Sequence, residues 1–355
     1  MEIRVEKTKN PKTKPDWGKL EFGKTFTDHM FIMDYDAGKG WHDARIVPYG
    51  PIAMDPAAMV LHYGQSVFEG LKAYKTDGGR VLLFRPEDNF RRINVSDERL
   101  CIPEIDVDFA LKALCELVRL DSDWVPTAPN TSLYLRPFVF ASESALGVYA
   151  ANRYRFMIIM APSGPYYTEG LNPVKIKIED KYVRAVRGGT GYTKAIANYA
   201  VSLKGQMTAK EEGFSQVLWL DAIERKYVEE VGAMNVFFKI GNEVVTPPLA
   251  GTILPGITRD SAIRLMKSWG MKVSERPLSA EEIFAAGAAG KLEEAFGTGT
   301  AAAVSPIGKL NWAGKEIILN NNETGPLAKK LYDELLGIQY GRKEDVFGWT
   351  MEVKQ

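Results

Sequence analysis

The stretch RGGTGYTKAIANYA, residues 187 to 200, sets Lys194 shortly after three glycines and ahead of a small-residue run typical of a helix. A lysine does chemistry only when its amino group is deprotonated or joined to an aldehyde as an imine, and burial or a nearby cation favours that state. We expect Gly188, Gly189 and Gly191 to let the backbone pass close to a flat ligand beneath Lys194. Alone, the stretch is equally typical of a glycine-rich turn followed by an exposed lysine.

Three other stretches offer groups that suit a phosphate. In LPGITRDSAIRL, Ile257 and Thr258 stand at a predicted helix N-terminus, with Thr258 as its cap, and free N–H groups there attract anions. FGTGTAAAV supplies a second small-residue loop with the hydroxyl of Thr300, and RPEDNFRR supplies the planar guanidinium of Arg92. Each is weak alone, because most such loops only cap helices and most helix arginines are solvated.

An acid completes the set. Glu230 ends a strand-like run in EEVGAMNVFF, where a carboxylate is able to keep a pyridine nitrogen protonated, although a surface glutamate is the simpler interpretation. A lysine for an imine, an acid for a ring nitrogen and several groups for a phosphate together describe pyridoxal 5'-phosphate. The combination is more specific than any member of it, and it indicates an enzyme that uses this cofactor.

Composition excludes several other classes. The chain has 355 residues, and its 45 lysines and arginines balance 45 aspartates and glutamates, so no basic excess suggests a nucleic-acid partner. No apolar run is long enough for a membrane span, and the polar N-terminus is not a signal peptide, so we expect a cytoplasmic protein. Three scattered histidines predict no metal site, and Cys101 and Cys115 are expected to be buried free thiols.

Strand and helix patterns alternate along the chain, which predicts an α+β fold of two mixed domains. FEGLKAY and RVLLF predict a hairpin across KTDGG, and PEDNFRRINVSDERL and FALKALCELVRL predict helices. We place a small domain at residues 1–165, with a mobile N-terminal arm over about the first 20 residues. A proline- and glycine-rich linker follows at 162–173, and a large cofactor-binding domain at 174–355.

Long motifs then link the sequence to a family. FGKTFTDHM, LHYGQSVFEGLKAY, SLYLRP, GGTGYTKAIANY, EVGAMN, LPGITR, GTGTA and IQYG resemble the branched-chain amino acid aminotransferases over nearly the whole chain. These are fold-type IV, D-amino acid aminotransferase-like enzymes with pyridoxal 5'-phosphate in the cleft between two domains. The resemblance implies reversible ping-pong transfer of an amino group between leucine, isoleucine or valine and 2-oxoglutarate, in amino-acid biosynthesis or degradation, by a homodimer.

The resemblance also implies roles for individual residues. Lys194 is implied to bind the cofactor aldehyde and to move the proton at the substrate Cα, and Glu230 to pair with the pyridine nitrogen. Tyr199 is implied to bond the ring hydroxyl, and Arg184 to lie near the cofactor in a role that stays open. The implied phosphate ligands are Arg92, Ile257, Thr258 and Thr300.

A pocket that must accept aliphatic side chains and then glutamate needs aromatic walls and one cation. Strand alternation in SLYLRPFVF puts Tyr134 and Arg136 on one face, and the resemblance implies that Arg136 meets the γ-carboxylate of glutamate. The backbone at Ala301 and Ala302 is implied to bind the α-carboxylate. The other residues implied to line the side-chain pocket are Phe22, Tyr63, Phe68 and Tyr166.

The sequence departs from the family at two points. Ala302 and Ser305 stand where mammalian members carry a Cys-x-x-Cys pair, so thiol regulation of that kind is not expected. Ala233 stands where some relatives carry threonine, which removes one hydroxyl near the phosphate or carboxylate. The competing hypotheses are a D-amino acid aminotransferase or an aminodeoxychorismate-type lyase, and, from another class, a non-catalytic binding protein with the same fold. The presence of both Lys194 and Glu230 argues against the last.

Overall fold

The computed structural model describes residues 1–164 and 171–354. Its contacts divide the chain into two compact units. The first consists of Met1–Tyr166, Thr193–Ile196 and Gly337–Gln355, and the second of Tyr167–Tyr192 and Ala197–Leu336.

The described strands of the first unit form a nine-stranded sheet with the order β1-β3-β2-β8-β7-β5-β6-β18, and β4 also pairs with β7. The strands are β1 (Arg4–Val5), β2 (His29–Asp36), β3 (Gly40–Pro48), β4 (Ser66–Phe68), β5 (Leu71–Lys75), β6 (Val81–Phe84), β7 (Ser132–Ala141), β8 (Arg153–Ser163) and β18 (Thr350–Glu352). The helices are α1 (Met59–Tyr63), α2 (Pro86–Arg99) and α3 (Val107–Leu120), with short 3-10 turns at Trp17–Lys19 and Ser122–Trp124.

One face of this sheet packs on α2 and α3 to form the main core of the unit. Alternation along β7 sends Leu133 and Leu135 into that core, with Phe90 and Leu114 of the helices. Tyr134 and Arg136, which alternate with the leucines, therefore lie on the other face. Proline at the first position of α2 and the Asp106 side chain at the start of α3 explain where these helices begin.

The described strands of the second unit form another nine-stranded sheet, in the order β11-β10-β9-β16-β15-β12-β13-β14, with β17 on β16. The strands are β9 (Val174–Glu179), β10 (Gln216–Leu220), β11 (Val228–Val231), β12 (Met234–Ile240), β13 (Glu243–Thr246), β14 (Lys272–Glu275), β15 (Leu292–Gly299), β16 (Ala303–Trp312) and β17 (Lys315–Ile318). The helices are α4 (Ile196–Glu211), α5 (Ile257–Ser268), α6 (Ala280–Ala288) and α7 (Pro326–Gln339), with a 3-10 turn at Asn320–Asn322.

The predicted elements occur, and the mixed α and β content agrees with the predicted fold class. The division into units differs from the predicted one in two places. The C-terminal segment belongs to the first unit because β18 pairs with β6, and Thr193–Ile196 belongs there because the Phe68 N–H bonds the Lys194 carbonyl at 3.1 Å. Half of the predicted linker at 162–173, residues 165–170, lies outside the described part of the chain.

The N-terminal arm is hydrogen-bonded along the first unit. β1 pairs in parallel with β3, the Thr8 N–H donates to His29 Nε2 at 2.9 Å, and the Lys12 N–H donates to Asp28 Oδ1 at 2.9 Å. His29 Nδ1 in turn lies 2.6 Å from an oxygen of Asp121. Because Nε2 accepts a hydrogen bond, the neutral ring carries its proton on Nδ1 and donates it to Asp121. The arm is thereby tied to the sheet through backbone and side-chain bonds.

Two smaller expectations need comment. Among the described residues, no helix has both the length and the apolar character needed to cross a bilayer. Cys101 and Cys115 are free thiols as expected, but the prediction that both are buried is wrong. Cys101 is exposed because α2 ends just before it and the chain turns through a positive φ of 57° there.

Candidate active site

The main chain of Lys194 is held from two sides within the first unit. Its N–H donates to the hydroxyl of Ser96 on α2 at 2.9 Å, and its carbonyl accepts the N–H of Phe68 at 3.1 Å. An antiparallel bridge between Val67 and Ala195 continues the second contact. The backbone of the predicted catalytic lysine is therefore built into the end of β4.

The Phe68 ring contacts two of the predicted site residues, Lys194 and Arg136. The Lys194 amino nitrogen lies 4.5 Å from the centroid of its ring, and the guanidinium carbon of Arg136 lies 4.5 Å from the same centroid. Arg136 Nη2 also donates to the Tyr134 hydroxyl at 3.0 Å, and the Phe22 ring meets the Tyr134 ring edge-on at 4.9 Å. Five predicted site residues thus form one continuous cluster, in which a primary amine and an arginine share an aromatic neighbour.

Two features make this cluster suitable for binding an anion. Arg136 Nε is buried and makes no hydrogen bond to any described residue, so one edge of the guanidinium is unsatisfied by this part of the chain. Gly70 has no Cβ, and a Cβ there would overlap the Tyr134 hydroxyl. A side chain at residue 70 would therefore push Tyr134 away from Arg136.

Lys72 adds a third basic group to the same face of the first sheet. It pairs directly with Tyr134 across β5 and β7, and burial lowers the pKa of its amino group to about 8. Tyr63 lies at the edge of the unit, where its hydroxyl donates to the carbonyl of Leu146.

Arg92 is bound to a buried carboxylate that the sequence did not reveal. Its Nε and Nη2 donate to the two oxygens of Glu69 at 2.7 and 2.8 Å, and Asn89 donates to Glu69 at 2.7 Å. Glu69 is 0% exposed and Arg92 is 8% exposed. Burial alone would raise the pKa of Glu69, but the charge and hydrogen bonds of Arg92, together with the charge of Lys194, hold that pKa below its usual value.

In the second unit, Arg184 stands beside the predicted ring-nitrogen acid. Arg184 Nε lies 3.4 Å from Glu230 Oε2, and Glu230 Oε1 accepts the Leu254 N–H at 2.8 Å. Both side chains are buried, so the ion pair lies away from solvent. Arg184 also donates to the carbonyls of Thr252 and Gly191, so it ties the glycine loop to Glu230. These contacts place Arg184 beside Glu230, while its role toward a cofactor stays a prediction.

The neighbouring acid behaves differently. Burial raises the pKa of Glu229, and a hydrogen bond from Thr252 and the charge of Arg184 offset only part of that effect. Glu230 lies on the other side of β11, where it accepts the Leu254 N–H and contacts the Arg184 guanidinium. Of the two adjacent acids, Glu230 is therefore the one with both a backbone hydrogen bond and an arginine contact.

The N-terminus of α5 is arranged for close approach. Gly256 caps the helix without a side-chain bond, and a Cβ there would overlap the Asn235 amide, which donates to the Leu254 carbonyl at 2.9 Å. Thr298 pairs with Asn235 across the sheet, and its hydroxyl is buried without a hydrogen bond to the described residues. A helix N-terminus and an orphaned hydroxyl are groups that suit a phosphate.

One expectation about these loops is wrong. Thr258 is not the helix cap, because α5 begins at Ile257 and Gly256 caps it. The glycines before Lys194 also serve the loop itself: Gly188 has a φ of 82°, and a Cβ on Gly191 would overlap Thr252 and Ala185. The expected close passage of this backbone beside a flat ligand stays a prediction.

The remaining predicted residues are placed as follows. Tyr199 is half-buried on α4, Ile257 and Thr258 are buried in the first turn of α5, and Tyr166 lies outside the described residues. Thr300, Ala301 and Ala302 form the turn between β15 and β16, after which Ala303 has a positive φ.

Sequence reasoning missed Glu69, Ser96 and Asn235. An acid inside the otherwise strand-like FEGLKAY was a usable signal, since a buried carboxylate requires a partner. The partner, Arg92, stands 23 residues further along. Ser96 and Asn235 carried no such signal, because single hydroxyl and amide groups are common on helices and strands.

Comparison with known proteins identifies the family of the chain. A family model described as amino-transferase class IV matches residues 66–310. That range holds most of the predicted cofactor and substrate residues, and the chain belongs to the class IV aminotransferases. The predicted reaction class, transfer of an amino group, is confirmed at this level.

The relatives narrow the class. Branched-chain-amino-acid aminotransferase 2 of Bacillus subtilis (strain 168) is 59% identical over 351 residues, covering 99% of this chain and 97% of that protein. The crystal structure of the Escherichia coli branched-chain amino acid aminotransferase matches with a TM-score of 0.77 at 27% identity, over 92% and 99% of the two chains. The T.th. enzyme of the same name, complexed with N-(5'-phosphopyridoxyl)-L-glutamate, matches with a TM-score of 0.74 at 27% identity, over 91% and 98%. The prediction of a branched-chain aminotransferase agrees with all three.

Proposed function

We propose that this chain is a branched-chain amino acid transaminase that moves the amino group of leucine, isoleucine or valine to 2-oxoglutarate through pyridoxal 5'-phosphate. The observation that carries the proposal is the cluster of Lys194, Phe68 and Arg136, which sets a primary amine and a half-buried cation within 4.5 Å of one aromatic ring. The B. subtilis and E. coli relatives named for this reaction support it.

The residues present fit the proposed cofactor. The T.th. structure carries a phosphopyridoxyl group joined to glutamate. In this chain the Thr298 hydroxyl, which has no hydrogen bond to the described residues, and the glycine-capped start of α5 suit its phosphate, and the Glu230 carboxyl group beside Arg184 suits its ring nitrogen. Lys194 would bind its aldehyde, Tyr199 its ring hydroxyl, and Arg92 and Thr300 its phosphate. When bound, the cofactor supplies an electron sink that stabilises negative charge at the substrate Cα.

The protein's own part is to move one proton and to hold the substrate. We propose that Lys194 Nζ takes the proton from Cα of the amino acid, since a primary amine, unlike the arginine of this cluster, is able to act as a base. Glu230, which lies beside Arg184, would hold the proton on the ring nitrogen. The backbone at Ala301 and Ala302 is proposed to bind the α-carboxylate.

One pocket then serves two kinds of side chain. Phe22, Phe68 and Tyr134 offer apolar ring surface to leucine, isoleucine and valine. Arg136, with its Nε unsatisfied by the described residues, offers hydrogen bonds to the γ-carboxylate of glutamate. Methylene-sized preferences among the aliphatic substrates amount to about 1–3 kcal/mol and depend on fine packing.

A spectral titration tests the reaction. The visible cofactor band of purified protein should change with L-leucine, stay unchanged with D-alanine, and return with 2-oxoglutarate. Conversion by D-alanine alone would transfer the function to a D-specific enzyme. Absence of any band after pyridoxal 5'-phosphate is added, or turnover by Lys194→Ala without an added amine, would refute the proposal.

Arg136 is tested by the contrast between two substrates. Removing one partner of a buried, hydrogen-bonded charge pair costs about 2–5 kcal/mol, so Arg136→Met should lower kcat/KM for glutamate about 30-fold or more, relative to leucine. Arg155→Met is the matched control, because Arg155 is a half-buried arginine of the same sheet whose Nε already binds Asp34 at 2.7 Å. Equal losses for the two substrates would remove Arg136 from this role.

We also propose that the enzyme is a homodimer. Several apolar side chains of the first unit stand exposed, which favours a partner surface. They are Leu61, Leu146 and Val148. Light scattering of the purified protein should give twice the chain mass of 39.5 kDa, and a monomer at micromolar concentration would refute the dimer.

A further inference from the structure

Ser96 makes an unusual pair of contacts in the first unit. Its hydroxyl donates to the Arg92 carbonyl one helical turn earlier at 3.2 Å and accepts the Lys194 N–H at 2.9 Å. The side chain is 0% exposed. A single buried oxygen therefore joins the main chains of Arg92 and Lys194, which stand 102 positions apart in the sequence.

We propose that Ser96 is a positioning residue that fixes the separation between Lys194 and Arg92, the two points at which this unit holds the cofactor. The proposal rests on the function proposed above, in which Lys194 binds the aldehyde and Arg92 the phosphate. One small ligand attached at both ends requires a defined distance between its attachments, and a shared hydroxyl sets such a distance with little freedom.

The geometry explains why a serine stands here. A serine inside a helix that bonds the carbonyl four residues back contributes little to helix stability, and such a bond often bends the helix. A hydroxyl has one hydrogen to donate and two lone pairs to accept with. Donation to Arg92 orients the oxygen, and its lone pair meets the Lys194 N–H, which a buried alanine would leave without this acceptor.

The contact also reaches the side chains. Glu69 fixes the Arg92 guanidinium through two hydrogen bonds, so the position of the Arg92 main chain determines where the guanidinium lies. On the other side, Phe68 holds the Lys194 carbonyl, so the lysine side chain leaves the backbone from a fixed point. Ser96 couples these two supports.

Cofactor affinity of the whole chain, freed of cofactor, tests the inference. The Kd for pyridoxal 5'-phosphate, measured by equilibrium dialysis, should rise about tenfold in Ser96→Ala, a loss of about 1.4 kcal/mol. Ser96→Thr, which keeps the hydroxyl, should stay within about threefold of the wild type. Ser96→Cys fills the space with a weak acceptor and should resemble Ser96→Ala; it serves if the alanine variant does not fold. In both, kcat for leucine should fall while KM changes little.

Thr246→Val is the matched control, since Thr246 is also 0% exposed and its hydroxyl donates to a carbonyl at 2.7 Å. An unchanged Kd in this variant, beside a raised Kd in Ser96→Ala, supports the inference. Equal weakening in both variants, or none in Ser96→Ala, would overturn it.

The failure of the proposed function has a different signature. In that case the wild-type chain itself does not bind pyridoxal 5'-phosphate. Amide hydrogen exchange of the cofactor-free protein then tests whether Ser96 holds the Lys194 main chain. Faster exchange of the Lys194 N–H in Ser96→Ala than in wild type or Thr246→Val supports the link to Ser96. Unchanged protection would overturn it.

Discussion

Replacement of Glu69 by glutamine should strongly destabilise the first unit. The variant keeps the size of the side chain but leaves the Arg92 guanidinium, 8% exposed, without its counter-charge. Two charge-assisted hydrogen bonds of 2.7 and 2.8 Å weaken at once. Removing one partner of a buried ion pair costs about 3–5 kcal/mol, mainly because the remaining charge stays desolvated, and we expect a loss in that range.

The pH dependence of this loss follows from the direction of the shift. The pKa of Glu69 is lowered in the folded chain, so its contribution is fully present above the unfolded-state value of about 4.3 and disappears as the pH falls through the lower folded-state pKa. The gap between wild type and Glu69→Gln should therefore be constant from pH 6 to 8 and should shrink below about pH 4.

Urea unfolding of the cofactor-free protein measures the loss, and amide exchange of β7 assigns it to the first unit. Arg92→Met provides the second arm of a double-mutant cycle. Because the orphaned cation is then gone, Arg92→Met should cost less in the Glu69→Gln background than in the wild type. A loss below about 1 kcal/mol for Glu69→Gln, or simple additivity of the two changes, would refute the reasoning.

Three further predictions concern other groups. Burial and the nearby Glu104 raise the pKa of Asp97 well above its ordinary value, so the folded chain retains a proton that the unfolded chain releases above about pH 3.9. The stability that this bound proton contributes is lost as the pH rises. Asp97→Asn should therefore gain stability over wild type between pH 4 and 8, measured by urea titration. Glu294 accepts two backbone N–H groups from the first turn of α7 at 2.9 and 3.0 Å, so Glu294→Ala should cost about 1–2 kcal/mol in the same assay, and a neutral result would contradict that capping role. Gly70→Ala should displace Tyr134 and lower kcat/KM for leucine and glutamate at least tenfold with little loss of stability; full activity would show that Tyr134 does not need its present position.

Local pattern was sufficient for most elements of the fold. Alternation in SLYLRPFVF placed Tyr134 and Arg136 together, and the proline at the start of α2 located that helix. In each case the interactions that determine the element are made by residues a few positions apart in the sequence. The cofactor was indicated by the combination of Lys194, Glu230 and the phosphate-binding groups, whereas the substrate roles came from family motifs. The roles of the individual residues stay predictions.

Contacts between residues that are far apart in the chain could not be predicted from the sequence. Glu69 and Arg92 are both hydrophilic residues in otherwise ordinary elements, and only the break between β4 and β5 turns the carboxylate toward the helix. The cap of α5 was misplaced by two residues because a threonine is a favoured cap by side chain, whereas Gly256 is required by the close Asn235 amide. The packing of Gly191 against Thr252 was likewise not predictable, because these two residues are far apart in the sequence.

The last strand has a consequence for how the chain is made. β18 covers the outer edge of β6, whose sequence VLLF is apolar, and Arg80 binds Glu352 at 3.0 Å across 272 residues. At about 5–20 residues per second, a ribosome takes roughly 15 to 55 s to pass from one to the other. Throughout that interval the nascent first unit presents an unpaired hydrophobic edge, the kind of surface that recruits other chains. Synthesis that stops before residue 350 leaves the edge open permanently, so C-terminally truncated chains should form aggregates while the full-length protein does not.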